Sequence, residues 1–455
     1  MSRTKIVVLA AVLVAPLLAG SQAASQSVAV QTLARDPGVR CGDLGAGGMI
    51  GGLTADQMAF FTAGQTDFAE AESVPDGLGP RFNLDSCAGC HAQPAVGGTS
   101  PAPFLPRGPG CSPAPNPQVG VATFLGARNM VPPFITANGP VREVRFKFNP
   151  DGTRDGGVHA LFVTAGRSDA PAGCNIAQES FDQSQNIIFR IPTPTFGLGL
   201  IEQIADSTIL ANQAANASAK SALGISGRPN RNGNDGTITR FGWKAQNKSL
   251  LLFSGEAYNV EMGITNELFQ TEREENPACQ STKRPNDTTD TAAATGVDTI
   301  SAIEKFAVFM RFLAPPIPSG SAPGGSPSIS RGSQVFASVG CALCHTPTLR
   351  TGDSTVAALS NQNVNLFSDL LLHGMGVGLA DNILQGGAGP GEFRTAPLWG
   401  LGQRVFFLHD GRASDLLTAI QAHKSNGSEA NGVINNFNGL SEGSKQDLLN
   451  FLRSL

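Results

Sequence analysis

Two stretches of this 455-residue chain set two cysteines three positions apart, with a histidine directly after the second. They are Cys87-Ala88-Gly89-Cys90-His91 and Cys341-Ala342-Leu343-Cys344-His345. Two thiols at that spacing can add to the two vinyl groups of one porphyrin, and the adjacent histidine is then held beneath the iron. The pattern is that of c-type haem attachment, and two copies predict two covalently bound haems c per chain. Zinc is the competing use of paired cysteines. A zinc ribbon needs its pairs far closer than the roughly 250 residues between these, and each pair here carries its own histidine.

Cys41, Cys111, Cys174 and Cys279 remain. An even remainder in an exported protein predicts disulfides, with three connectivities open. Export is itself expected. Arg3 and Lys5 precede an apolar run from Ile6 to Leu18, and Ser21-Gln22-Ala23 offers small residues for cleavage, so residues 1–23 read as a signal peptide. No later stretch is long and apolar enough to cross a bilayer, which predicts a periplasmic or otherwise exported protein with no integral membrane segment. The 32 basic and 36 acidic side chains leave a net charge of −4, which excludes a nucleic-acid binder built on a basic field. With 41% hydrophobic and 15% charged residues, the chain has the apolar content of folded domains.

The elements that must position these motifs are mostly helical. Thr54-Ala55-Asp56 opens a helix, helical period resumes after Asp206-Ser207, and Ile300, Ile303, Ala307 and Met310 share one face from Asp298 to Leu313. Ser441 to Leu455 predicts a closing helix with Leu448, Leu449, Leu452 and Leu455 on one face. Val144, Phe146 and Phe148 alternate with Arg145 and Lys147, turn at Asp151-Gly152, and return over Val158 to Thr164 as a hairpin; Ile187 to Ile191 is a further strand. Pro/Gly-rich residues 93–117 read as a wrapping loop, and residues 314–328 read as a linker. The expected fold is therefore mainly α. Its parts are an N-terminal haem domain over 24–313 with a β-rich insertion at about 118–200, the linker, and a C-terminal haem domain over 329–455.

The words around the motifs add a resemblance. FNLDSCAGCHAQPAVGG, FGLGLIEQI, GRPNR, RFGWKA, NVEMGITNELF, CALCHTPTLR, LLLHGMGVGLAD and FLHDGRASDLLTAIQAH run from about residue 80 to 425. In that order they resemble the di-haem oxidoreductase family, within the wider group of bacterial di-haem cytochrome c peroxidases. The resemblance implies two cytochrome-c-like domains. It implies that Glu261, in NVEMG, is the acid–base carboxylate beside the N-terminal haem, and that Trp243 relays electrons between the haems. Phe253 stands where relatives often carry a glutamine. Counting from His409 as in those peroxidases places His423, instead of their methionine, as second axial ligand of the His345 haem. His423 also shares an apolar helix face with Leu416, Ala419 and Ile420.

His373 and Met375 are rival ligands, for which a structural loop role is expected, and His409 and Arg412 are expected to hydrogen-bond a haem propionate. His159 is read as a strand residue, with distal ligation as its sharper alternative. Calcium between the haems is a further cofactor that the resemblance raises, with Asn230 its candidate ligand. The first functional expectation is a peroxidase reducing hydrogen peroxide at the His91 haem, with electrons from a small redox protein through the His345 haem. A plain di-haem electron carrier, and an oxygenase or protein-modifying oxidase on the same scaffold, are the alternatives.

Overall fold

The computed structural model describes residues 33–40, 45–101, 113–181, 185–274 and 276–455. The signal-peptide segment, Cys41 and Cys111 lie outside them. Ala34–Leu455 is one compact unit, and only Leu33 is described of the unit before it. Among the described residues the chain is mostly helical, with small antiparallel sheets, as the sequence predicts. No helix among them is long and apolar enough to cross a membrane.

The N-terminal core forms where two helices meet. Thr54 caps Ala55–Ala69 in a reciprocal box with Gln57, and Ser301 does the same for Ala302–Phe312 with Glu304. Phe61 and Phe68 of the first helix pack on Phe309 of the second at 5.3 and 4.9 Å between ring centroids. Each buried phenylalanine contributes about 1.5–3 kcal/mol. That exceeds what propensity alone supplies to helices of this length. The second helix begins later than its apolar period suggests. Ile300 is extended, and Gly296–Thr299 is a separate turn capped by Thr295.

The hairpin forms near where the alternation places it but is shorter, since Phe162–Val163 of the expected return strand pairs with Arg81–Phe82 instead. Glu143–Phe146 pairs with Val158–His159 on one edge and with Ile187–Arg190 on the other, all antiparallel. Asp151 turns the chain by accepting from the Thr153 N–H at 2.9 Å.

Residues 314–328 differ in part from a free linker. Their last four residues already belong to the Gly325–Val339 helix, where Ser328 is buried and donates to Asp447. Gly332 lets this helix touch Glu442–Ser454; a Cβ there would stand 2.0 Å from the Asp447 carbonyl oxygen. Leu448, Leu449, Leu452 and Leu455 are all buried on that contact. The larger core also takes Leu349, Leu366, Leu370, Leu371 and Trp399 from beyond residue 328, so the halves share packing.

Candidate haem-binding cavities

Each Cys-x-x-Cys-His motif opens onto a cavity. Cys87–Cys90 is a single helical turn, and Cys341–Leu343 a single 3-10 turn, each bonded to its histidine by the His91 or His345 N–H to the first cysteine's carbonyl at 2.9 Å. One turn brings the two thiols and the ring to one end. None of the four thiols is in a disulfide. Burial pushes Cys87 and Cys341 up to about 12.

The C-terminal cavity is the larger and more apolar. It is lined by Cys341, Cys344, His345 and His423, with His373, Met375 and His409 also in its wall. His345 Nδ1 donates to the Phe367 carbonyl at 3.0 Å and His423 Nδ1 to the Ala419 carbonyl at 2.8 Å. A carbonyl can only accept, so both rings carry their proton on Nδ1 and keep Nε2 basic. Burial lowers both pKa values, that of His345 to about 4, with His423 as its next cause. Two neutral imidazoles, each with a basic nitrogen, therefore line one cavity. His373 is differently engaged. Its Nε2 lies 2.9 Å from Asp369 and its Nδ1 2.8 Å from Glu429. Burial opposes its charge, but the bonds to Asp369, Cys344 and Glu429 raise its pKa well above the usual value. An imidazolium with both nitrogens bonded has no lone pair for iron.

His91 belongs to two adjoining cavities. The more polar one includes Cys90, Asn83, Glu143, Arg145, Phe253 and Glu261; the more apolar one Cys87, Cys90, Tyr258, Glu261 and Met262. His91 Nδ1 donates to the Gly98 carbonyl at 2.9 Å, which fixes the same tautomer. Among the described residues lining these cavities, His91 is the only histidine.

Glu261 and Asn83 are placed by a strand–helix contact. Ser249 caps Leu250–Met262, Gly263 ends it left-handed, and the Glu261 carbonyl accepts from the Asn83 N–H at 2.7 Å. Asn83 Nδ2 then donates to Glu261 Oε2 at 2.8 Å. Burial, followed by the neighbouring Glu143 charge, holds the Glu261 carboxyl protonated far above the usual range. Glu143 is half-buried as well, but Arg145, at 2.5 Å, and Arg190 hold its carboxyl below the usual range, and it hydrogen-bonds Glu261. Two neighbouring carboxyls are thus shifted in opposite directions, Glu261 up and Glu143 down. Glu143 carries no motif of its own in the sequence and is brought to the site by the hairpin.

Trp243 lines both the C-terminal cavity and the polar His91 cavity. Its Nε1 donates to the Ile191 carbonyl at 2.8 Å, which fixes the ring.

The cavities also hold guanidinium groups with buried donors that no protein acceptor meets. Arg394 and Arg404, in the C-terminal cavity, are lowered to about 10 by burial, and each keeps one buried guanidinium nitrogen unbonded. Arg142 and Arg190 each leave Nε unbonded in the polar His91 cavity. Burying donors unpaired is costly unless an anion meets them. Haem propionates have that charge, so basic imidazole, paired thiols and orphaned guanidinium donors together fit one haem in each half.

Arg412, expected in this role, is exposed, pairs with Asp410 at 2.5 Å and lies outside these cavities. His409 does line the C-terminal cavity, stacked on Phe393 at 4.3 Å. His159 bonds Glu179 and Asp155 away from the cavities, as a strand residue. Asn230 is poorly presented to calcium, because its Oδ1 already accepts from the N–H groups of Gly387 and Arg231 at 2.9 and 3.0 Å. Of the open disulfide pairings, the structure contains Cys174–Cys279.

Two of the solved structures that match this chain do so at low similarity. Hydrazine synthase of Kuenenia stuttgartiensis, pressurised with 20 bar xenon, is 18% identical over 35% of this chain and 56% of its own, with a TM-score of 0.23. This chain therefore spans little more than half of that one. A MauG-like protein associated with microbial copper homeostasis is 15% identical over 64% of this chain and 95% of its own, with a TM-score of 0.29. No curated protein sequence matches. The family profile described as "Di-haem oxidoreductase, putative peroxidase" matches residues 160–455. That is about two thirds of the sequence, and the chain belongs to the di-haem oxidoreductase family.

Proposed function

We propose that this protein is an exported di-haem peroxidase that reduces hydrogen peroxide in the His91 cavity, with electrons supplied through the His345 cavity. Cys87 and Cys90 would attach one haem c and His91 ligate it; Cys341 and Cys344 would attach the other, between His345 and His423. When bound, haem supplies a redox-active iron that can take up peroxide and exchange single electrons.

The observation that carries the reading is that Glu261, Glu143, Arg145 and Asn83 line the cavity of the His91 motif, where no second histidine stands among the described residues. Splitting peroxide requires a proton to leave the inner oxygen and reach the outer one. A carboxyl pair sharing one proton can accept at one oxygen and donate at another without a free charge in a dry site. Arg145 holds Glu143 ionised, and Asn83 orients Glu261. Trp243 gives the two cavities a shared aromatic wall along which an electron can pass. Phe253 makes the pocket drier than an amide would, which favours the neutral form of Glu261. The donor is proposed to be a small exported redox protein, on the strength of the leader-like residues 1–23.

The coordination pattern tests this reading. Electron paramagnetic resonance of the holoprotein should show one low-spin haem, held by His345 and His423, and one high-spin haem at His91. His423→Ala should turn only the low-spin signal high-spin. Two low-spin haems in the wild type would instead indicate an electron carrier.

A further inference from the structure

Tyr258 is the only tyrosine in the chain. It lies one turn before Glu261 on Leu250–Met262, is buried, and lines the apolar cavity with Cys87, Cys90 and His91. Its ring meets Phe306 edge-on at 5.1 Å, and its hydroxyl donates to Glu72 Oε1 at 2.7 Å. A backbone carbonyl would satisfy a buried phenol without bringing in a charge, so a carboxylate acceptor asks for another explanation. Burial, and then the charges of Glu70, Asp76 and Asp67, raise Glu72 to about 7 against the Tyr258 bond. Half-buried Glu72 also connects the phenol to the surface.

A phenol that loses an electron becomes a strong acid, and in a dry cavity its oxidation is easy only where a base already holds the hydrogen bond. We propose that Tyr258 is a redox-active residue of the His91 site, its electron leaving to that site and its phenolic proton crossing to Glu72. The oxidant is hydrogen peroxide, so the cycle rests on the peroxidase reading. Reduction of peroxide to two waters consumes two electrons and two protons. One electron comes from Tyr258, the other from the His345 side, and both protons from water. The O–H bond of Tyr258 breaks and one forms on Glu72, leaving a neutral phenoxyl radical and a neutral carboxyl. The external donor returns the electron, and Glu72 returns the proton.

The holoprotein, grown with ordinary or ring-deuterated tyrosine, is mixed with hydrogen peroxide without donor, frozen and examined by electron paramagnetic resonance. A parallel sample is oxidised by flash-generated tris(bipyridine)ruthenium(III), which needs no peroxide chemistry. In both arms the expected organic-radical signal changes shape on tyrosine deuteration, which with one tyrosine assigns it to Tyr258. Tyr258→Phe abolishes that signal and keeps the Phe306 contact. Glu72→Gln keeps a hydrogen-bond acceptor but removes the base, and lowers the radical yield about tenfold or more. A deuteration-sensitive radical in the ruthenium arm only supports the Tyr258–Glu72 pair and rejects the peroxidase reading. A signal insensitive to deuteration in both arms, or an equal yield in Glu72→Gln, overturns the proposal.

Discussion

Glu143 and Glu261 are half-buried carboxyls of one cavity shifted in opposite directions, because Arg145 and Arg190 stand beside the first. Neutralising Glu143 removes the charge that raises its partner, so Glu143→Gln should lower the Glu261 pKa. The pH profile of the peroxide reaction should then move to lower pH, and the infrared carbonyl band of protonated Glu261 should vanish at lower pH than in the wild type. An unmoved profile and band would show that the two do not share a proton.

Glu72 gives a second prediction. Its pKa is raised from 4.5 to about 7, so the folded state binds the proton more tightly than the unfolded state. The associated stability is present below pH 4.5 and lost as pH rises through about 7. Glu72→Gln cannot lose it, so the variant should gain on the wild type by about 1–3 kcal/mol across that window in urea titrations. A constant difference across the window would contradict this. The grouping of Cys87, Cys90 and His91, and of Cys341, Cys344 and His345, was legible because each pattern is local in sequence. Glu143, Arg394 and Arg404 were not, because each gains meaning only from a partner or cavity that folding brings to it.

The helix Leu250–Met262 carries Phe253, Tyr258 and Glu261, and its ends decide where they point. Gly263 closes it at φ 75°, where a Cβ would stand 2.5 Å from the Arg81 carbonyl oxygen. Gly263→Ala should therefore cost about 2 kcal/mol or more. Loss of the Ser249 cap in Ser249→Ala should cost about 1 kcal/mol. Urea unfolding of the two holoprotein variants would check the order, and an equal cost would mean that the strand near Arg81 yields easily. Elements built on one local pattern were legible, as the alternating hairpin and the leucine face of the closing helix were. The start of Ala302–Phe312 was less so, since apolar period ran on through Ile300 while the Ser301–Glu304 box set the boundary. Composition likewise hid the helix that begins at Gly325, because Ser328 is held by Asp447 from far along the chain.

Across the whole molecule, Cys174–Cys279 joins residues 105 apart. Replacing both cysteines by alanine should cost roughly 2–5 kcal/mol, read as a lower midpoint in thermal unfolding. An unchanged midpoint would mean that the surrounding packing already fixes these segments. The sequence could predict disulfides but not their pairing, which depends on the tertiary course of the chain. In the proposed mechanism the Glu261–Glu143 pair moves the peroxide proton in the His91 cavity. Stopped-flow mixing of holoprotein with hydrogen peroxide tests it most directly, because haem absorbance follows the first oxidation before any donor acts. Glu261→Gln should slow that phase by about 10²–10⁴-fold at unchanged haem content. Equal rates in variant and wild type would mean that Glu261 does not move the peroxide proton.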